Sequence, residues 1–228
     1  MRGIRMSIGI GDNLTGSFGF AKDKLGGNFV TWLILAVLNI VPVVNWIVFG
    51  TYVKVLRGDD PDLDNMGKSF VDGLLALIIA LIYMIVPIVL SIIVSVGMFT
   101  VGSVATISPT SSVVPNMMAG VGVVLMFGLI LVCIIVSILF SLLLIPALVN
   151  FARNGFGAAF SFGTIFGMIN KAGWLNYIVS IILIWIIFGV IIFICGLLSV
   201  IIIGIILLIF ILPFLYCWAA KYFANLFE

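Results

Sequence analysis

The chain has no histidine, only three cysteines, and charge on just 8% of its 228 residues. Without histidine, the commonest general base and the commonest nitrogen ligand for metals are both missing. Cys133, Cys195 and Cys217 lie far apart, each inside an apolar run, which suits small buried hydrophobes rather than a disulfide framework or a thiolate cluster. Charge this sparse cannot clothe a soluble domain, in which about a quarter of the residues are charged. The formal charge is only +2 and the basic residues occur singly, so no nucleic acid is expected as a partner.

Hydrophobic residues are what the chain has in abundance, at 64% with a mean hydropathy of +1.46. The runs Leu74–Leu90, Val121–Val136 and Ile178–Phe193 carry no charge and sit in stretches long enough to cross ~30 Å of hydrocarbon as helices. Barrel strands would alternate apolar and polar residues, whereas these runs are apolar on every side, so helices are the remaining way to satisfy the backbone in lipid. The expected fold is all-α: a polytopic integral membrane helical bundle forming a single membrane domain over residues 1–228, with about five to six membrane segments plus short interfacial helices.

Residues 1–27 form an N-terminal interfacial segment with no small-residue cleavage site, so it is expected to be retained. Within it, Asp12 heads an interfacial helix over Leu14–Leu25. Residues 28–57 are a hairpin or a kinked span, broken around Pro42, with Asn39 and Asn45 placed to bond the backbone groups that proline frees. Transmembrane helices are expected at 73–99 and 121–148, joined by the uncharged, Ser/Thr-rich loop Thr100–Gly120, which should face away from the cytoplasm. A second interfacial helix is expected over Phe156–Asn170. Trp174–Ala220 would measure roughly 70 Å as one helix, so it divides near Cys195–Gly196 into spans at 174–194 and 197–220. Trp174, Tyr177, Tyr216, Trp218 and Tyr222 fall near span ends, where aromatic belts belong.

Charge distribution bears on the first segment. If 28–57 crosses once, the ten Lys and Arg divide six against four between the two faces; if it returns as a hairpin, all ten share one face. The positive-inside tendency favours the hairpin and puts both termini in the cytoplasm of a multi-pass cell-membrane protein. Asn13-Leu-Thr15, formally a glycosylation acceptor, would then lie out of reach of the attachment machinery. A weak internal repeat relates 45–99 to 141–195: each half has a span ending in arginine, Arg57 or Arg153, then an interfacial stretch, then a charged residue near glycine, Asp72-Gly73 or Lys171-Ala-Gly173.

The chemistry-bearing residues are few. Asp59, Asp60, Asp62 and Asp64 superficially resemble a calcium loop, but Pro61 stiffens it, Asn65 replaces the turn glycine and Val71 replaces the bidentate glutamate. A solvated turn is expected, with Asp64 or Asn65 capping a short helix towards Phe70. Asp72 suits the positive end of the second span's dipole. Lys54 and Arg57 are expected to extend towards interfacial water or lipid phosphate. No phosphate loop or serine nucleophile has its required neighbours. No catalytic residue, cofactor or metal is assigned, and an enzyme is not expected. Ser91/Ser95, Ser137/Ser141 and Asn176/Ser180 share helix faces at a spacing that packs helices, and no span carries a charge for a coupled pump.

Ile40-Val-Pro-Val-Val-Asn-Trp46, Gly50-Thr-Tyr52-Val-Lys54-Val-Leu-Arg57-Gly58 and Phe70-Val-Asp72-Gly73-Leu74, with Tyr83 and Pro87, resemble the membrane protein family known as domain of unknown function 4013, common in archaea. The resemblance is densest over Asn28–Leu90 and implies no activity or cofactor. Two roles are left open. One is a non-catalytic structural or interaction component, an embedded subunit or bilayer-shaping protein whose partners are membrane lipids and other membrane chains or itself. The other is a passive permease or the membrane subunit of a transporter.

Overall fold

The computed structural model describes residues 9–107, 113–199 and 203–228. Among them every regular element is helical: α1 Ile10–Ala21, running on through a π turn at Lys22–Gly26; α2 Phe29–Ile40; α3 Asn45–Arg57; α4 Met66–Ile107; α5 Val113–Asn154; a 3-10 turn at Phe156–Phe160; α6 Phe162–Ala172; α7 Trp174–Leu198; and α8 Ile203–Leu226. Four stretches, Met66–Thr100, Val124–Asn154, Trp174–Leu198 and Ile203–Leu226, are long and apolar enough to cross a membrane, which marks a multi-pass membrane protein.

Three boundaries differ from the sequence expectation. No separate short helix precedes the second span, because α4 starts at Met66 directly after Asn65, which takes a left-handed φ of 58°. The expected Thr100–Gly120 loop is largely helical. Thr100 turns its hydroxyl back onto the Gly97 carbonyl (2.8 Å), so it does not break the helix, and Pro115 falls in the first turn of α5, where a missing N–H costs nothing. Only residues 108–112 of that loop lie outside the described residues. Finally, α7 continues through Cys195–Gly196 to Leu198.

The chain forms two compact units, Met1–Ile78 with Ile145–Glu228, and Ile79–Leu144. The second is an antiparallel helical pair without a charged residue. Its contacts include the edge-to-face rings of Tyr83 and Phe140 (6.4 Å), the Ser91 hydroxyl against Cys133 Sγ (3.5 Å), and Gly97 seated on Met126. Its outer surface is apolar, with Val124 70% and Phe99 78% exposed, as lipid-facing helices require.

In the first unit α8 is the hub, packed by α1, α2, α3 and α7. Its buried face includes Leu215, Cys217, Ala220, Tyr222 and Ala224. The antiparallel partner α7 meets it through Ser180 and the Tyr222 hydroxyl (2.7 Å) and through the rings of Tyr177 and Phe227 (5.5 Å). Gly204 lies against the backbone of Cys195 and Ser199, an approach that any larger residue would block.

α2 and α3 fold back on each other. Val41 is extended (φ −85°, ψ 115°), as a residue before proline prefers, and so ends α2 ahead of Pro42. Val43 follows with φ 72°, a left-handed conformation rare for a β-branched residue. Backbone bonds close the turn, from Asn45 N–H to Val41 O (3.0 Å) and from Ile47 N–H to Val44 O (3.0 Å), rather than the asparagine side chains expected to do so.

Candidate functional site

The bonded charges of the first unit meet where α3, α5 and α8 end and α4 begins. α3 stops there because Gly58 takes φ 108°, donating its N–H to the carbonyls of Lys54 and Val55, a left-handed helix stop. Asn28 caps α2 at this end, its Oδ1 accepting the Thr31 N–H (3.3 Å). Lys24, Asn28, Thr31, Asp60, Pro61 and Asp62 line a common cleft of about 280 Å³ between the start of α2 and the turn after α3. The hairpin therefore leaves and returns at the same end.

Lys54 is 8% exposed and turns into the acidic loop. Its ammonium donates to Asp62 Oδ1 (2.9 Å), to the Asp62 carbonyl (3.4 Å) and to the Asp64 carbonyl. Part of the loop that resembled a calcium site thus turns its oxygens onto an internal cation. Asp60 pairs with Lys24. Arg57 donates Nη2–H to Asp72 Oδ2 (3.1 Å) and Nε–H to the Ala152 carbonyl (2.7 Å), so it ties the ends of α3 and α5 to the beginning of α4. Arg153, at the end of α5, donates to the carbonyls of Ala224 (2.7 Å) and Phe227 (2.8 Å) at the end of α8.

The two arginines have a common task. Each supplies donors to last-turn carbonyls that have no partner within their own helix, with its positive charge at the negative end of the dipole. Lys54, Arg57 and Arg153 thus donate to protein acceptors, where the sequence pointed Lys54 and Arg57 towards interfacial water or lipid phosphate. Lys22, Lys68 and Lys171 are exposed and have no ion-pair partner among the described residues; Lys221 lies 5.0 Å above the Phe20 ring.

Gly50 and Gly73 form the close crossing on which this arrangement depends. A Cβ on Gly50 would strike the Ser69 backbone and one on Gly73 the Trp46 backbone, so α3 and the start of α4 cross with main chain against main chain. That approach brings Asp72 within reach of Arg57. Tyr52, on another face of α3, is buried with its ring 5.4 Å from Tyr216, and its hydroxyl has no hydrogen-bond partner among the described residues. Asn39 and Asn45 lie in α2 and at the start of α3, away from the charged end, and Lys171 closes α6.

Sequence reasoning missed the role of α1, expected to lie along the interface. Asn13 (4% exposed) donates to the Tyr222 carbonyl (3.1 Å), while its Oδ1 accepts from the Ser17 hydroxyl (3.1 Å) and the Asn225 amide (3.0 Å). Trp218 donates its indole N–H to the Leu14 carbonyl (3.1 Å). The polar spacing Asn13-x-x-x-Ser17, with Ala21 four residues on, was the available signal: one buried stripe on an otherwise amphipathic helix.

No curated protein and no solved structure matches the chain. A family model described as protein of unknown function (DUF4013) matches residues 33–200, well over half of the chain, and the protein belongs to that family.

Proposed function

We propose that this protein is a non-catalytic structural component of the membrane, an embedded bilayer-shaping or scaffolding subunit in which α2–α3 is a re-entrant hairpin held in one leaflet. The observation that carries this reading is the hairpin's dimensions. With 12 and 13 residues, its arms reach only about 18–20 Å, short of the ~30 Å a crossing needs, and both outer ends lie at the charged end of the unit. Added to the four spans, the two half-depth arms make six membrane segments, and the charged end becomes the cytoplasmic side by the positive-inside tendency.

Arms of this length, tilted from the membrane normal, lie mostly within one leaflet and enlarge its cross-section more than that of the other. α1 packs beside the C-terminal half of α8 and adds to the same side. A body that is wider in one leaflet favours bending that makes that leaflet the convex one. The bonded arginines and Lys54 support a rigid scaffold rather than a pathway for charged solutes.

Purified protein should be reconstituted into liposomes of graded diameter and its density per vesicle measured, alongside efflux of a trapped small solute. Enrichment on the smallest vesicles, with efflux no faster than from empty liposomes, is the expected outcome. Solute efflux without curvature preference would replace this reading with a passive permease.

A further inference from the structure

Lys24 pairs with Asp60 and Lys221 lies over Phe20; the other six described cations fall into two classes. Lys54, Arg57 and Arg153 are bonded to protein oxygens, whereas Lys22, Lys68 and Lys171 stand exposed on three separate elements: the π turn after α1, the first turn of α4 and the last turn of α6. Chain connectivity places the third. α5 and α7 are candidate spans, so the segment between Asn154 and Trp174 runs along the membrane surface from one to the other.

Within that segment α6 is strongly two-faced. Ile165 and Ile169 are fully buried, while Phe162 (49% exposed) and Phe166 (42% exposed) face outward. Phe166 stacks on Trp174 at 6.2 Å, and the Trp174 indole N–H is donated to Asn170 Oδ1 (2.7 Å). An outward aromatic row followed by an unpaired lysine, on a helix confined to the membrane surface, matches a leaflet: rings at the acyl boundary, ammonium among the headgroups.

We infer that this end of the protein binds the anionic lipid headgroups of its own leaflet, with Lys22, Lys68 and Lys171 taking the headgroup phosphates and Phe162 and Phe166 anchoring α6 beside them. The inference rests on the membrane placement proposed above but not on the hairpin's effect on curvature.

The test is quenching of the intrinsic tryptophans by brominated lipid in liposomes of the full chain. Brominated phosphatidylglycerol is compared with brominated phosphatidylcholine, each diluted in unbrominated phosphatidylcholine. The anionic quencher should be preferred severalfold at 0.1 M salt, with each lysine contributing roughly fivefold at most. The preference should fall at 1 M salt, as exposed charges are screened, and should persist in 10 mM inorganic phosphate, because the site takes lipid and not the free ion. K22Q/K68Q/K171Q should lose most of the preference yet melt like the parent in pure phosphatidylcholine. Equal quenching by both lipids in the parent would overturn the inference, as would a preference that survives the triple substitution. A chain that fails to insert at all would overturn the membrane placement itself, so the two failures are distinguishable.

Discussion

At Gly50 the energetics of one side chain can be read directly. An alanine there would force its Cβ into the Ser69 backbone, which cannot swing aside as a flexible side chain would. Gly50→Ala should therefore destabilise the detergent-solubilised protein by about 1–3 kcal/mol, the usual range for overpacking. Gly67, in the first turn of α4, has open space around its Cβ position, and Gly67→Ala should instead be neutral or stabilising by up to about 1 kcal/mol. Thermal melts of the two variants check this; equal effects would show that the crossing is looser than the glycines imply. Arg153 offers a second case. Arg153→Met leaves the carbonyls of Ala224 and Phe227 without their donors and should lower stability by about 2–3 kcal/mol, while Arg153→Lys, a point charge without the guanidinium fork, should fall between parent and Met. A lysine variant as stable as the parent would mean that charge alone suffices. These roles were only half legible in the sequence. The resemblance picked out Gly50, Arg57, Asp72 and Gly73, but their partners are separated along the chain, Arg57 from Ala152 and Arg153 from Phe227, and no local spacing joins such pairs.

At the scale of elements, Pro42 and the charge count made the break between α2 and α3 legible, but not how it closes. Val43 carries the strain. A left-handed conformation costs an L-residue roughly 1–2 kcal/mol, and glycine escapes that penalty while giving back about 0.5–1 kcal/mol of chain entropy. Val43→Gly should thus melt at or slightly above the parent temperature, although it removes a valine; Val43 is 52% exposed, so little packing goes with it. A clear loss of stability would show that the turn is held by the valine side chain. The long helices were legible from their apolar runs, yet their ends were not. Serine and threonine look like loop formers, but their hydroxyls can bond back one turn, as Thr100 to Gly97, Ser95 to Ser91 and Ser137 to Cys133 do. α1 shows the reverse failure: its amphipathic pattern was visible, but the burial of Asn13 and Ser17 against α8 depends on a helix more than 200 residues away.

For the molecule as a whole, charge and its absence separate the two units. Residues 79–144 carry none, and every described charge sits in the first unit. The matched family region, 33–200, extends beyond Asn28–Leu90, where the resemblance is densest, and omits both α1 and the hub α8. Because Asn13 is enclosed, a glycan on this formal acceptor would be incompatible with the packing of α1 on α8. The central claim, that α2–α3 enters and leaves by one face, is tested most directly with single cysteines at Lys22 and Lys68, exposed positions on either side of the hairpin. The background should have Cys133, Cys195 and Cys217 replaced by alanine. Membrane vesicles of known orientation are treated with an impermeant maleimide. Both positions should label from the same side, the cytoplasmic one, and both should stay protected from the other; labelling of Lys22→Cys and Lys68→Cys from opposite sides would contradict the hairpin and make residues 28–57 a single crossing.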